Sequence, residues 1–173
     1  MNKSFVNNED KKKSWVDIGK IVDKAVHDLN YEIEFEKINI ERHVEYSTEI
    51  YFNPKQLKKV IHELIKNSIE ASKEEGSIVK IFARNIGKDC ELKICDSGVG
   101  MNREQLKKIN EPLYSSKIQG TGLGFPIVIS ILKKAGAKIE VKSEENQGTE
   151  IKILFKHLES SDEFQKSQTQ TKL

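Results

Sequence analysis

An excess of one charge is what this sequence most clearly lacks: 29 Lys and Arg stand against 27 Asp and Glu, a formal net charge of +2. That balance gives no electrostatic reason to expect binding to DNA, RNA or anionic lipid. Long apolar runs are missing as well. The stretch Ile127-Val128-Ile129-Ser130-Ile131-Leu132 is interrupted by a serine and falls far short of the ~20 residues a spanning helix needs. No apolar core follows Met1-Asn2-Lys3-Ser4, so a secretory signal is not expected. The chain is read as cytoplasmic, or as the soluble part of a membrane-anchored protein. Cysteine is scarce, with only Cys90 and Cys95. Five residues apart on a strand, they point to opposite faces and can neither pair nor share a metal. That usage suits a reducing compartment.

What is present is enough for one domain. The chain has 173 residues, 36% of them hydrophobic and 32% charged. Residues 1–13 are polar and end in three lysines; they read as a flexible segment. Asp17 is placed to cap a helix carrying Ile18, Ile21, Val22, Ala25, Val26 and Leu29 at helical spacing. Strands are expected from Tyr31 to Ile40 and around Tyr51-Phe52. Asn53-Pro54 then opens the best-defined element, a capping residue followed by proline at the first helical position. Leu57, Val60, Ile61, Leu64, Ile65, Ser68, Ile69 and Ser72 form one stripe along it at three- and four-residue steps. Strands follow over 77–84 and 90–95. A loop-rich stretch from Asp96 to Gly124 holds one short helix near 103–109. A helix over 123–135 and strands over 138–142 and 149–155 complete a domain spanning 14–157. The tail, 158–173, is polar and reads as disordered. The expected class is α+β: a two-layer sandwich with a mixed sheet covered on one face by about three helices.

Four motifs stand in order. On the Pro54 helix, Glu63, Asn67 and Glu70 fall on one face, roughly opposite the centre of the apolar stripe. Asp96-Ser97-Gly98-Val99-Gly100 lies 29 residues past Asn67, directly after a strand. Then come Glu111 to Lys117, and Gly120-Thr121-Gly122-Leu123-Gly124 opening a helix. Each alone is ordinary, since glycine after a strand is usually a turn. Together they resemble the histidine-kinase branch of the ATPase fold shared with DNA gyrase, Hsp90 and MutL, the Bergerat-type fold. His62 to Ala71 resembles the asparagine box of that family. Asp96 to Met101 and Gly120 to Gly124 resemble its two glycine boxes, Glu111 to Lys117 its phenylalanine box, and Gln147-Gly148-Thr149 its closing glycine-threonine. The resemblance covers about residues 15–157.

It implies ATP and Mg2+ as cofactors. Gly120, Thr121, Gly122, Leu123 and Gly124, leading into a helix N-terminus, suit phosphate through unpaired N–H groups and the helix dipole. Lys117, and Lys66 beside the polar stripe, would add positive charge. Asn67 is implied as the metal ligand, in keeping with the sparse protein ligation of Mg2+ near nucleotides. Asp96 would accept from the adenine amino group, with Gly98 and Gly100 letting the backbone pass close and Thr149 in support. Glu63 is the candidate general base, with a purely structural role as its alternative. Leu113-Tyr114 and Phe125-Pro126 depart from the usual residues of the family, so changes in the packing of a lid between Met101 and Gly120 are expected.

His62-Glu63 invites two other readings. A zinc-protease HExxH would need histidine where Lys66 stands. A phosphoacceptor motif is also excluded, because the glycine boxes lie where an asparagine box places them. The phosphoacceptor histidine is therefore expected on a separate dimerisation segment, upstream or in trans, with a response regulator downstream. An anti-sigma-factor-type kinase is the alternative within the fold. ATP-gated clamps would need a following domain.

Overall fold

The computed structural model describes residues 13–45, 48–72, 74–109, 111 and 122–157. Seven strands and five helices follow in order among them: β1 (Ser14–Asp17), α1 (Ile18–Asp28), α2 (Asn30–Phe35), β2 (Asn39–Val44), β3 (Glu49–Phe52), α3 (Pro54–Ala71), β4 (Ile78–Ile86), β5 (Asp89–Asp96), α4 (Arg103–Lys108), α5 (Gly124–Lys134), β6 (Lys138–Ser143) and β7 (Thr149–Phe155). A five-stranded sheet has the order β2-β4-β5-β7-β6. It is mixed, because β2 runs parallel to β4 while the other neighbours are antiparallel.

Pleating sorts the sheet into two unlike faces. Val79, Ile81, Ala83, Cys90, Leu92, Ile94, Ile151, Ile153 and Phe155 join the buried cluster formed with α1, α3 and α5. Alternate residues lie on the other face, where they form cross-strand ion pairs: Lys80–Glu41 at 3.1 Å, Arg84–Glu91 at 2.8 Å, Lys93–Glu150 at 3.5 Å and Lys152–Glu140 at 2.7 Å. The more exposed of these pairs, Lys80–Glu41 and Lys152–Glu140, add little to stability. The hydrophobic face holds the fold together.

The three longer helices arise where the spacing places them. The Asp17 carboxylate accepts the Lys20 N–H at 3.2 Å and caps α1, which buries Ile18, Ile21, Val22 and Ala25. The Asn53 side chain accepts from the Lys55 and Gln56 N–H groups at 3.0 and 3.1 Å, with Pro54 behind it. Every residue of the predicted α3 stripe is buried, including Ser68 and Ser72. The architecture is the expected α+β sandwich, with α2 and α4 as short additions.

Two local expectations fail. The span from Tyr31 to Ile40 is not one strand: α2 occupies its first half, Lys37 turns the chain at φ 53°, and β2 starts at Asn39. The alternation Tyr31-Glu32-Ile33-Glu34-Phe35 imitates a strand period. In the helix Tyr31 and Phe35 stack at 6.1 Å, one turn apart, and Asn30 donates to Glu34 at 2.7 Å. Local i,i+4 contacts therefore override the pattern. The second miss is β1, which pairs antiparallel with β3, setting Trp15 opposite Tyr51. Four residues are too few to show a period.

Cys90 and Cys95 point to opposite faces as expected, Cys90 into the core and Cys95 half-buried beside Glu150. Burial pushes the Cys90 thiol up to about 12 and raises that of Cys95 as well. A thiol reagent should therefore modify Cys95 first under native conditions and reach Cys90 only on unfolding; equal rates measured by mass spectrometry would contradict this packing. Replacing fully buried Ile61 with alanine should cost about 2–5 kcal/mol in urea unfolding.

Candidate functional site

The site is laid out along one face of α3. Near the end of the helix, the Ala71 carbonyl accepts the Val99 N–H at 3.1 Å. A Cβ placed on Gly98 would sit 2.6 Å from that carbonyl oxygen, so glycine is what lets the loop come so close. Two turns earlier, an Oε atom of Glu63 lies 2.7 Å from where a Cβ on Gly124 would be. Asn67 is four residues from each contact, hence on the same face and about 6 Å along the axis from either. One glycine segment therefore borders this half-buried asparagine on each side. Packing of α5 against α3 leaves Glu63 and Asn67 only partly exposed, while Glu70 remains exposed. Lys66 Nζ lies 3.8 Å from Glu70, a loose pair one turn apart at the edge of this face.

Asp96 ends β5 directly opposite Thr149 on β7, and both lie on the helix-covered side of the sheet. The Asp96 carboxylate accepts the Gly98 N–H at 3.0 Å and the Thr149 N–H at 3.2 Å. Two backbone donors from different segments thus fix its position. The glycines around it are required by close approach. A Cβ on Gly100 would lie 1.9 Å from the Glu144 carbonyl, and one on Gly148 2.0 Å from that of Asp96, both at positive φ. The Asn146 N–H donates to the Val99 carbonyl at 2.7 Å, tying the β6–β7 turn to the same loop. A cleft of about 350 Å³ at the ends of β5, β6 and β7 is bordered by these strands and the β6–β7 turn, with Cys95, Lys142 and Glu150 from the open face of the sheet; no described residue of α3 or α5 lines it.

On the other side of Asn67, Gly122 adopts φ 66° just before α5 begins at Gly124. The first turn of α5 contains no acidic side chain, and Leu123 supplies no side-chain cap. Pro126 sits in that turn, where its missing N–H breaks no helical bond. Phe125 is buried in the core. Of the sequence-predicted residues, Glu63, Lys66, Asn67, Asp96, Gly98, Gly100, Gly122, Leu123, Gly124 and Thr149 are described; Lys117, Gly120 and Thr121 lie outside the described residues.

Ser143 was not expected. Its hydroxyl accepts the Met101 N–H at 2.9 Å, donates to the Gly148 carbonyl at 2.8 Å and meets the Thr149 hydroxyl at 3.0 Å. A hydroxyl closing one strand just before a glycine-threonine opens the next was the only signal in the sequence. Among the described residues no group of three or more His, Cys, Asp or Glu is arranged to hold a metal ion. The donor set suits an ion that brings most of its ligands with it, as Mg2+ does with phosphates and water.

The family described as histidine kinase-, DNA gyrase B-, and HSP90-like ATPase matches residues 52–159, more than half of the chain. Similar proteins include sporulation kinase C of Bacillus subtilis, 38% identical over 58% of this chain and 23% of that protein. Sporulation kinase B of the same organism is 34% identical over 69% of this chain and 28% of its own length. The sensor histidine kinase ZraS of Escherichia coli is 34% identical over 58% and 22%. The chain thus spans about a quarter of the length of these relatives. Among solved structures, the catalytic domain of the histidine kinase ThkA superposes with a TM-score of 0.76 at 22% identity, covering 84% of this chain and 96% of that one. The mycobacterial sensor histidine kinase MprB gives 0.73 at 22% identity, over 83% and 97%. At that identity the structures speak for the fold, while the family match speaks for descent: the chain belongs to the histidine kinase-, DNA gyrase B-, and HSP90-like ATPase family.

Proposed function

We propose that this chain binds Mg-ATP between α3 and the two glycine segments and donates the γ-phosphate to a histidine carried on a separate dimerisation segment, in two-component signalling with a response regulator downstream. One observation carries the reading. Asn67 stands between the loop that begins at Asp96 and the helix that begins at Gly124, each held against α3 by a close approach at glycine. Such an arrangement suits a ligand with a base at one end and a triphosphate at the other.

The bound nucleotide supplies the transferable phosphoryl group, and Mg2+ supplies charge neutralisation. The protein supplies position. Asp96 accepts from the adenine amino group, while Gly98 and Gly100 give the base access to the backbone and Thr149 supports the contact. The Asn67 side-chain oxygen holds the metal. The α5 N-terminus, with Gly122, Leu123 and Gly124, faces phosphate with backbone N–H groups; Gly120, Thr121, Lys117 and Lys66 complete that end. Glu63 lies one turn from Asn67 and takes the proton of the incoming nucleophile. Phosphoryl transfer rests mainly on positioning and electrostatics, so few catalytic groups are needed. The similarity to the sensor histidine kinase ZraS favours a histidine acceptor over the partner protein of an anti-sigma-factor-type kinase. We place the chain in the cytoplasm, by itself or as the soluble domain of a membrane-anchored sensor.

Asn67→Ala should weaken Mg-ATP binding at least about tenfold and abolish transfer to an acceptor hairpin, with little change in magnesium-free ATP affinity. Calorimetry giving unchanged Mg-ATP affinity, together with normal turnover, would remove the metal assignment. Asp96→Asn should reduce ATP affinity about 10- to 100-fold, the worth of one hydrogen bond to a charged group. Circular dichroism should remain native, because the amide oxygen still accepts from Gly98 and Thr149. Unaltered ATP affinity in that variant would refute base recognition by Asp96.

A further inference from the structure

Proton counting at Ser143 leads beyond the binding of a nucleotide to the way one is chosen. A serine hydroxyl has one proton and two lone pairs. The Met101 N–H can only donate, so at 2.9 Å it occupies one lone pair. The Gly148 carbonyl can only accept, so at 2.8 Å it takes the proton. One lone pair is left for the Thr149 hydroxyl at 3.0 Å, and the Thr149 proton must therefore point at Ser143. Thr149 is left with lone pairs alone for any other partner.

We infer that Ser143 is a specificity-determining positioning residue: by holding the Thr149 proton, it leaves Thr149, like Asp96, as an acceptor on the helix-covered side of the sheet. The inference rests on the nucleotide reading above. Asp96 and Thr149 are cross-strand partners on the helix-covered side of the sheet, and the Asp96 carboxylate accepts the Thr149 N–H. An ionised carboxylate accepts only, so the two together form an acceptor-only wall. Such a wall favours a base edge that carries an exocyclic amino group, with N–H donors to give directly or through water. It disfavours the corresponding carbonyl, which would face lone pairs with no proton between. The backbone reinforces this polarity. Gly148 stands at φ 84° with no room for a Cβ, which holds its carbonyl toward Ser143. The Met101 N–H fixes the hydroxyl from the other side. Neither partner can exchange roles.

ATP and inosine triphosphate separate this from a merely structural role, since the second carries a carbonyl where the first carries the amine. Calorimetric affinities for both should be measured on the unmodified chain and on Ser143→Ala, Ser143→Thr and Thr149→Val. The unmodified chain should prefer ATP. In Ser143→Ala the Thr149 hydroxyl regains rotation and can donate to the carbonyl, so the preference should narrow about two- to tenfold, the range of one neutral hydrogen bond. Ser143→Thr, which keeps the hydroxyl, should retain it. Thr149→Val should narrow it through weaker ATP binding, and this variant decides the matter if Ser143→Ala does not fold. Equal weakening of both nucleotides in Ser143→Ala would make Ser143 only a brace for the loop and overturn the inference. An unchanged ratio in Thr149→Val would do the same while leaving nucleotide binding intact. Failure of the unmodified chain to bind ATP at all would overturn the underlying reading along with this one.

Discussion

The approach of the glycine loop to the end of α3 is the contact from which the site follows. A Cβ on Gly98 would meet the Ala71 carbonyl oxygen at 2.6 Å, and that carbonyl accepts the Val99 N–H, so loop and helix cannot separate without losing a backbone hydrogen bond. Such a bond is worth about 0.5–1.5 kcal/mol net, and leaving its partners buried and unpaired costs more. Because α3 is rigid, fixing one end of its polar face fixes the rest. Asn67 and Glu63 follow at one-turn intervals, and Glu63 meets Gly124 at the start of another helix. The same helix buries seven residues on its apolar stripe. One element thus takes its orientation from the core and passes it to the site.

How much of this was legible depends on the range of the interaction. The α3 stripe could be read from Leu57 to Ser72 because a buried helix face must repeat every three to four residues. Its start was legible because Asn53-Pro54 is local chemistry. The sheet strands could be read for the same reason: period-two burial recurs over six residues in β4 and β7. Short elements were not. In α2 a six-residue alternation fits helix and strand alike, and what decides it is the stacking of Tyr31 on Phe35. β1 exists only through pairing with β3, a partner some 35 residues away that no local pattern names.

The site divides along the same line. Asn67 and Asp96 were identifiable because motif spacing carries them. Their mutual arrangement was not, since it depends on where Gly98 and Gly124 meet α3. Ser143 escaped notice because a serine at a strand end is commonplace, and its meaning lies in three partners at separations of five, six and 42 residues. The sequence does contain glycines at 100 and 148, but their necessity comes from the Glu144 and Asp96 carbonyls pressed against them. A motif names such positions; only packing explains them.

The two ends of the polar face are supported by different machinery, and this bears on how each can vary. On the Asp96 side, strand pairing between β5, β6 and β7 holds the carboxylate, the two hydroxyls and the turn in one register, with backbone atoms making most of the contacts. A main-chain frame does not depend on side-chain identity, apart from the glycines and hydroxyls that fill it. On the Gly124 side, α5 is held against α3 by side chains, with Phe125, Val128 and Leu132 in the shared core and the Glu63 carboxylate close to the helix start. Backbone N–H groups at that start attract negative charge, whether it belongs to Glu63 or to a phosphate. Asp96, by contrast, cannot shift without breaking two backbone hydrogen bonds. Under the proposed reading, that backbone-held end is the one that would discriminate among bases.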